Sequence, residues 1–280
     1  MTPDLADIET LRDQLQRFGV RPEKKLSQNF LVDREALEEI VSTADLEAAD
    51  NVVEVGAGTG VLTVELAKRV QQVVAVEVDE KILPLLRETV REFSNVEVIA
   101  EDIRHVTIDA LTKKFTSSRY KVVANLPYHL SGYFLERFLD TDHGPVSLTL
   151  LLQKEVAERA AAGPGEMSLL SISVQFFGTP QVTVIVPAEA FWPAPKVDSA
   201  ILHIVRHPAP RWGPAIRANI FRLARIGFAG RRKTLANALA GGLGLPKPDI
   251  AKALAAAGIP PRARAQELTL EQWQGLAGRV

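Results

Sequence analysis

From about residue 50 the chain alternates short apolar runs with longer amphipathic stretches. Asn51–Val55, Gln72–Glu77, Val96–Ala100, Lys121–Ala124 and Ser147–Leu152 are β-branched or leucine-rich and short enough to be buried strands. Val61–Val70, Glu80–Phe93 and Gly132–Leu139, lying between them, read as helices. Repeated strand–helix alternation predicts an α/β fold, a parallel sheet with helices on both faces. Leu169–Phe177 follows a Gly163-Pro164-Gly165 turn and reads as a further helix. Gln181–Val186 and Val197–Arg206 are strand-like, and Pro187 to Pro195 reads as a proline-punctuated loop between them. His207-Pro208-Ala209-Pro210 and Gly213-Pro214 mark a linker. Beyond it the Ala/Leu/Arg-rich segments Ile216–Gly227, Lys233–Leu239, Asp249–Ala257 and Leu270–Val280 predict a small helical domain over 208–280, after a first domain over 1–207.

Composition narrows the chemistry. With no cysteine among 280 residues, disulfides, thiolate metal sites, iron–sulfur clusters and cysteine nucleophiles are excluded. The same absence fits a reducing, cytoplasmic compartment. No apolar run reaches the roughly 18 residues a membrane span needs, and Asp4, Asp7 and Glu9 give the N-terminus the wrong sign for a targeting peptide. His105, His143, His203 and His207 lack metal-ligand spacing, so no metal site is expected.

Charge changes the picture only when it is located. The net charge is −1, yet residues 1–150 carry 17 basic and 26 acidic side chains and residues 151–280 carry 16 and 8. No Asp or Glu occurs between Ser199 and Pro248, a stretch holding Arg206, Arg211, Arg217, Arg222, Arg225, Arg231, Arg232, Lys233 and Lys247. A solvated helix face usually mixes both signs, so this stretch points to a polyanion partner. Arg222, Arg225, Arg231, Arg232 and Lys233 are the candidate phosphate contacts; the alternative is that they pack the tail.

Val52-Val53-Glu54-Val55 runs into Gly56-Ala57-Gly58-Thr59-Gly60 ahead of a helix pattern. Glycines at a strand-to-helix turn let a ligand approach the backbone and the helix amides. A dinucleotide fingerprint needs G-x-G-x-x-G. Here the spacing is G-x-G-x-G, with Val61 where the third glycine would fall, which favours S-adenosylmethionine over NAD. Glu77 at the end of the second strand can accept from the ribose hydroxyls of either cofactor. Asp102, after the third, can accept from an adenine amino group.

After the fourth strand comes Asn125-Leu126-Pro127-Tyr128. Taken alone it is a turn fixed by Pro127. The Asn125 amide oxygen and the Leu126 carbonyl can also both accept from an exocyclic amino group, aiming its lone pair at an electrophile. Tyr128 supplies a stacking face for a purine, and Phe191 is the candidate second face. An adenine inside a duplex cannot reach such a pocket, so the base must be splayed out or unpaired. His129 is read as a loop residue rather than a base, because an activated methyl donor needs none. Trp192, Trp212 and Trp273 are read as packing or loop anchors.

These blocks together resemble the ribosomal RNA adenine N6-dimethyltransferases, most closely the branch that acts on small-subunit 16S RNA. The resemblance runs through Lys25–Leu31, Glu54–Gly60, Glu77, Glu101-Asp102, Asn125–Tyr128, Leu152–Arg159, Phe191–Ala200 and Phe228–Leu239. It implies a Rossmann-like, S-adenosylmethionine-dependent methyltransferase sheet, with cofactor contacts at Asn29, Leu31, Gly56, Gly58, Glu77, Asp102 and Asn125. It implies an adenine clamp of Asn125, Leu126, Tyr128 and Phe191, acting on 16S ribosomal RNA in immature small subunits; nothing in the sequence calls for more than a monomer. Ser27 departs toward the 23S methylases of macrolide resistance, and His129–Gly132 departs from the family loop. A 23S adenine methylase, a non-catalytic ribosomal RNA assembly factor and a NAD oxidoreductase are the competing readings.

Overall fold

The computed structural model describes residues 3–23, 28–127, 130–230 and 232–280. Tyr128, His129, Arg231 and the Lys25–Ser27 part of the N-terminal motif therefore lie outside the described residues. Two compact units emerge. One holds the chain up to Ala157 together with Gln181–Arg206, and the other holds Glu158–Pro180 together with His207–Val280. No helix among the described residues is long and apolar enough to cross a membrane.

Two helices that hydrophobic periodicity left unassigned open the first unit, α1 (Ile8–Arg17) and α2 (Arg34–Thr43), with β1 (Phe30–Leu31) between them. Both begin at an aspartate N-cap. The Asp7 and Asp33 side chains accept from the amides of Thr10 and Ala36, each at 2.8 Å, as N-caps do. The alternating region follows as β2 (Asn51–Val55), α3 (Val61–Ala67), β3 (Gln72–Glu77), α4 (Leu83–Thr89), β4 (Val96–Ala100), α5 (Ile108–Thr112), β5 (Lys121–Asn125), α6 (Ser131–Leu139) and β6 (Ser147–Gln153). Next come α7 (Lys154–Ala161), α8 (Leu169–Phe177), β7 (Gly178–Val186), β8 (Phe191–Trp192) and β9 (Ser199–Arg206).

The large sheet has seven strands in the order β4-β3-β2-β5-β6-β9-β7. Its first five strands are parallel, as the alternation predicts. The sheet as a whole is mixed, however, because β9 runs antiparallel to β6, pairing Ser147 with Val205 and Gln153 with Ser199. The chain reaches β9 from β6 through α7, α8 and β7, and β9 inserts between β6 and β7. The segment read as a loop also needs correction. It contains β8, which pairs antiparallel with β1, Phe30 opposite Trp192 and Leu31 opposite Phe191. Two-residue strands carry no periodicity of their own; only the pairing defines them.

Burial explains the apolar runs. Every residue of β2 is buried, and Val52, Val73, Val123, Leu151 and Ile201 join Leu37, Ile40 and Leu66 in one cluster on the sheet. Ala57, Val64, Ala75, Leu86 and Val90 form another. A third gathers Leu11, Leu15 and Val20 around Phe30, Ile82 and Leu85, which seats α1. The edge strand β7 instead alternates exposed and covered positions.

The second unit contains α8, α9 (Pro214–Phe228), α10 (Leu235–Leu243), α11 (Lys247–Ala256) and α12 (Leu270–Ala277). The sequence division at 207 leaves Glu158–Pro180 with the sheet; packing groups it with the tail helices instead. Phe176 of α8 stands 5.7 Å from Trp212 and 6.0 Å from Phe221, and the Gly165 amide donates to the Gln266 carbonyl. Trp273 is fully buried, its ring 6.0 Å from Phe228. Gly227 is required beside it, since a Cβ there would stand 2.9 Å from Leu235 Cδ1 and 3.0 Å from Trp273.

Candidate active site

In the large sheet the chain proceeds outward from β2 to β4 on one side and from β5 to β6 on the other. The crevice at such a reversal, beyond the carboxyl ends of the strands, is where open α/β sheets bind ligands. A cleft of about 240 Å³ lies there. Its lining includes Asn29 and Leu31, Gly56 and Gly58, Glu77, Asp102, and Asn125, Leu126 and Phe191. The tertiary structure thus brings together every candidate cofactor and clamp residue read from the sequence, save Tyr128, which lies outside the described residues.

The glycine turn is shaped by its neighbours. Gly56, Gly58 and Gly60 all have left-handed φ, between +55° and +88°, where side chains are strained. A Cβ on Gly56 would stand 3.2 Å from Pro127 Cδ, and one on Gly60 would stand 2.9 Å from Leu86 Cδ1. The first of these contacts joins the glycine turn to the Asn125–Pro127 loop.

Glu77 ties that turn to the next strand. One carboxylate oxygen accepts from the Gly58 amide at 2.7 Å, and the other accepts from the Val78 and Asp79 amides at 2.9 Å. A carboxylate offers about four lone-pair positions, so three amides leave room for one more donor. Burial pushes its pKa above the ordinary value, against the three amides, and the nearby Asp79 charge adds to the rise. Asp79 in turn accepts from the Gln28 side chain at 2.7 Å, and Gln28 accepts from the Glu23 amide at 2.8 Å. The N-terminal segment is thereby fastened beside Glu77.

Asp102 stands differently. Arg104 Nε lies 3.0 Å from both of its oxygens, and this bond holds its pKa down at about 2. The Arg104 pairing thereby favours its ionised form. Glu54, the acid ahead of the glycines, is the opposite case. It is buried, one of its oxygens has no hydrogen-bond partner among the described residues, and burial with the charge of Glu77 pushes it up to about 8. Gln28, Glu54, Asp79 and Arg104 were not singled out as site residues by sequence reasoning. Glu54 lay inside the glycine motif and Gln28 inside the N-terminal motif, but the contacts that distinguish them depend on residues distant in sequence.

Asn125 ends β5 opposite Leu151 of β6, and the Leu126 amide donates to the Leu151 carbonyl at 3.2 Å. That bond fixes the turn carrying both candidate acceptors. Phe191 is buried among Leu31, Val123 and Val186 while lining the cleft. Its neighbour Trp192 packs near Phe30 with the Arg12 guanidinium 5.3 Å above the ring, an anchor as expected.

The basic residues belong to the helical unit. Arg222 and Arg225 are exposed on α9, and Arg232 and Lys233 are exposed in the turn before α10. Arg222 also donates to Asn219 Oδ1 at 2.9 Å, so part of its role is local. Arg231 lies outside the described residues.

Comparison with known proteins matches this geometry to a family. The family model for ribosomal RNA adenine dimethylases matches residues 20–278. A ribosomal RNA small subunit methyltransferase A from Dehalococcoides mccartyi is 42% identical over 265 residues, covering 95% of this chain and 90% of the relative. One from Streptococcus pneumoniae is 39% identical over 280 residues, covering 98% and 97%. Among solved structures, the 23S rRNA methyltransferase ErmE superposes with a TM-score of 0.74 at 27% identity, covering 90% of this chain and 99% of that one. A dimethyladenosine transferase from Plasmodium falciparum shares the fold with the same TM-score at 23% identity, over 88% of this chain and 95% of that one. The chain belongs to the ribosomal RNA adenine dimethylase family.

Proposed function

We propose that the cleft binds S-adenosylmethionine and presents the N6 amino group of unpaired adenines in small-subunit 16S ribosomal RNA for two successive methylations, in a monomer acting on immature subunits in the cytoplasm. The observation that carries the reading is the convergence of two residue sets in one cleft, the glycine turn with Glu77 and Asp102 and the turn Asn125–Leu126 with Phe191.

The donor set fits that cofactor. Glu77 retains a position for a ribose hydroxyl, Asp102 is a held anion for an adenine amino group, and the orphaned Glu54 oxygen offers a buried partner to a polar ligand group. Asn29, Leu31, Gly56 and Gly58 complete the cradle. When bound, S-adenosylmethionine supplies a methyl group already activated by its sulfonium. The protein's task is then orientation and desolvation. Asn125 Oδ1 and the Leu126 carbonyl would accept from the target amino group, and Phe191, held by the β1–β8 pairing, would cover one face of its ring with Tyr128 on the other. The exposed arginines and lysine of the helical unit suit phosphate contacts.

Incubation with labelled S-adenosylmethionine and small subunits lacking the modification, followed by mapping of modified bases, tests the proposal. Two methyl groups on N6 of defined 16S adenines are expected. Label on isolated 23S RNA with none on immature small subunits would select the competing reading instead.

A further inference from the structure

The exposed large apolar side chains among the described residues include one aromatic, Tyr133, with 44% of its surface open. A single exposed apolar residue needs no explanation; the surroundings of this one are what matter. Tyr133 sits in the first turn of α6, three residues after Leu130, which lines the cleft. Residues three apart share a helix face. Arg137 Nη1 donates both to the Tyr133 hydroxyl and to the carbonyl of Ile103, which also lines the cleft. The ring therefore stands just outside the cleft lining, linked through Arg137 to the loop after β4.

The ring is also backed and held. The Arg137 guanidinium lies 6.0 Å from its centroid and donates to the Tyr133 hydroxyl at 3.4 Å. Arg137 further donates to the carbonyls of Ile103 and Val106, joining α6 to the loop after β4. A ring fixed in this way costs little further entropy when it binds. Arg137 already has partners within the chain, and the exposed Glu136 follows one turn along α6, so the spot does not favour a phosphate. A flat, pre-positioned π-face with a cation behind it favours a nucleobase.

We infer that Tyr133 is a stacking platform for an unpaired nucleotide flanking the target adenine, seated beside the Arg137 guanidinium just outside the cleft. The inference rests on the adenine-methylating reading given above. Splaying one base into the cleft unstacks its neighbour, and Tyr133 provides that neighbour with a replacement face.

Tyr133→Ala, Tyr133→Leu and Tyr133→Phe variants test it, with three readouts. The KM for unmethylated small subunits should rise about tenfold in the alanine and leucine variants and recover most of the way in the phenylalanine variant. Affinity for S-adenosylmethionine, measured by calorimetry without RNA, should stay within about twofold, which also shows that each variant is folded. A target RNA carrying 2-aminopurine beside the target adenine should show quenching on binding to the parent protein and lose it with Tyr133→Ala. An unchanged KM in Tyr133→Ala, or leucine substituting as well as phenylalanine, would overturn the platform while leaving the methylation reading intact. Failure of the parent protein to methylate small-subunit RNA would overturn both.

Discussion

The sheet unit and the helical unit use charge in opposite ways. Around the cleft, two acids differ with their surroundings: buried Glu54 is pushed up to about 8, while Asp102, paired with Arg104, is held at about 2. Both line one cleft, so residue type alone says little about charge state. In the helical unit the candidate cations are many and exposed, in a stretch of about fifty residues without a carboxylate. Their effect comes from number and sign rather than environment. A buried acid owes its state to its neighbours, and an exposed cation adds to a long-range field. The net charge of −1 averages the two and describes neither.

This contrast can be broken or sharpened by substitution. The largest effect should come from Asn125→Ala, which removes an acceptor for the target amino group. Methyl transfer is expected to fall at least ~10²-fold, with an unchanged melting temperature and an unchanged salt dependence of RNA binding. Near-normal turnover would remove the cleft from the chemistry.

Next is the pH dependence of stability. Glu54 in the folded protein keeps its proton up to about pH 8, whereas in the unfolded chain it releases it near 4.5. Between those values the native state binds more protons, so stability should fall as pH rises and then level off. Glu54→Gln should flatten that decline and stabilise the protein by on the order of a few kcal/mol near pH 8. Denaturant titration at a series of pH values checks this. Parallel curves for parent and variant would mean that Glu54 is ionised in the fold.

Gly60→Ala should cost about 1–3 kcal/mol, because it combines a left-handed φ of +88° with a Cβ 2.9 Å from Leu86 Cδ1. Thermal melts should show a drop of a few degrees, and cofactor affinity should fall with it. The smallest effect per residue should come from the helical unit. Reversing Arg225, Arg232 and Lys233 to glutamate should leave turnover at saturating RNA intact. It should flatten the log–log slope of RNA affinity against salt by about 0.7–0.9 for each phosphate that is no longer neutralised. An unaltered slope would assign these cations to packing the tail.

Much of this architecture was legible in the residues. The five parallel strands and the five helices of the second unit fall where the apolar periodicity places them, because a long buried element repeats its signal many times. The glycine turn, Glu77, Asp102 and Asn125–Leu126 were legible because each follows a strand end, and parallel strands put those ends on one edge. Less legible were the short or borrowed features. β1 and β8 are two residues each and exist through one another. The direction of β9 is set by its partner β6. Helix α8 is plain as a helix, yet its membership of the tail unit follows from Phe176 meeting Trp212 and Phe221.

The sequence by itself determined the long buried strands, the helices of the tail, the strand-end position of the cleft motifs and the segregation of charge, because periodicity, glycine spacing and residue counts are properties of neighbours along the chain. Only the tertiary structure decided that Leu31 pairs with Phe191, that Gln28 and Asp79 fasten the N-terminal segment beside Glu77, and that Glu54 and Asp102 differ in their hold on a proton. Those outcomes depend on burial and on partners, some more than a hundred residues away, and neither is encoded in local pattern.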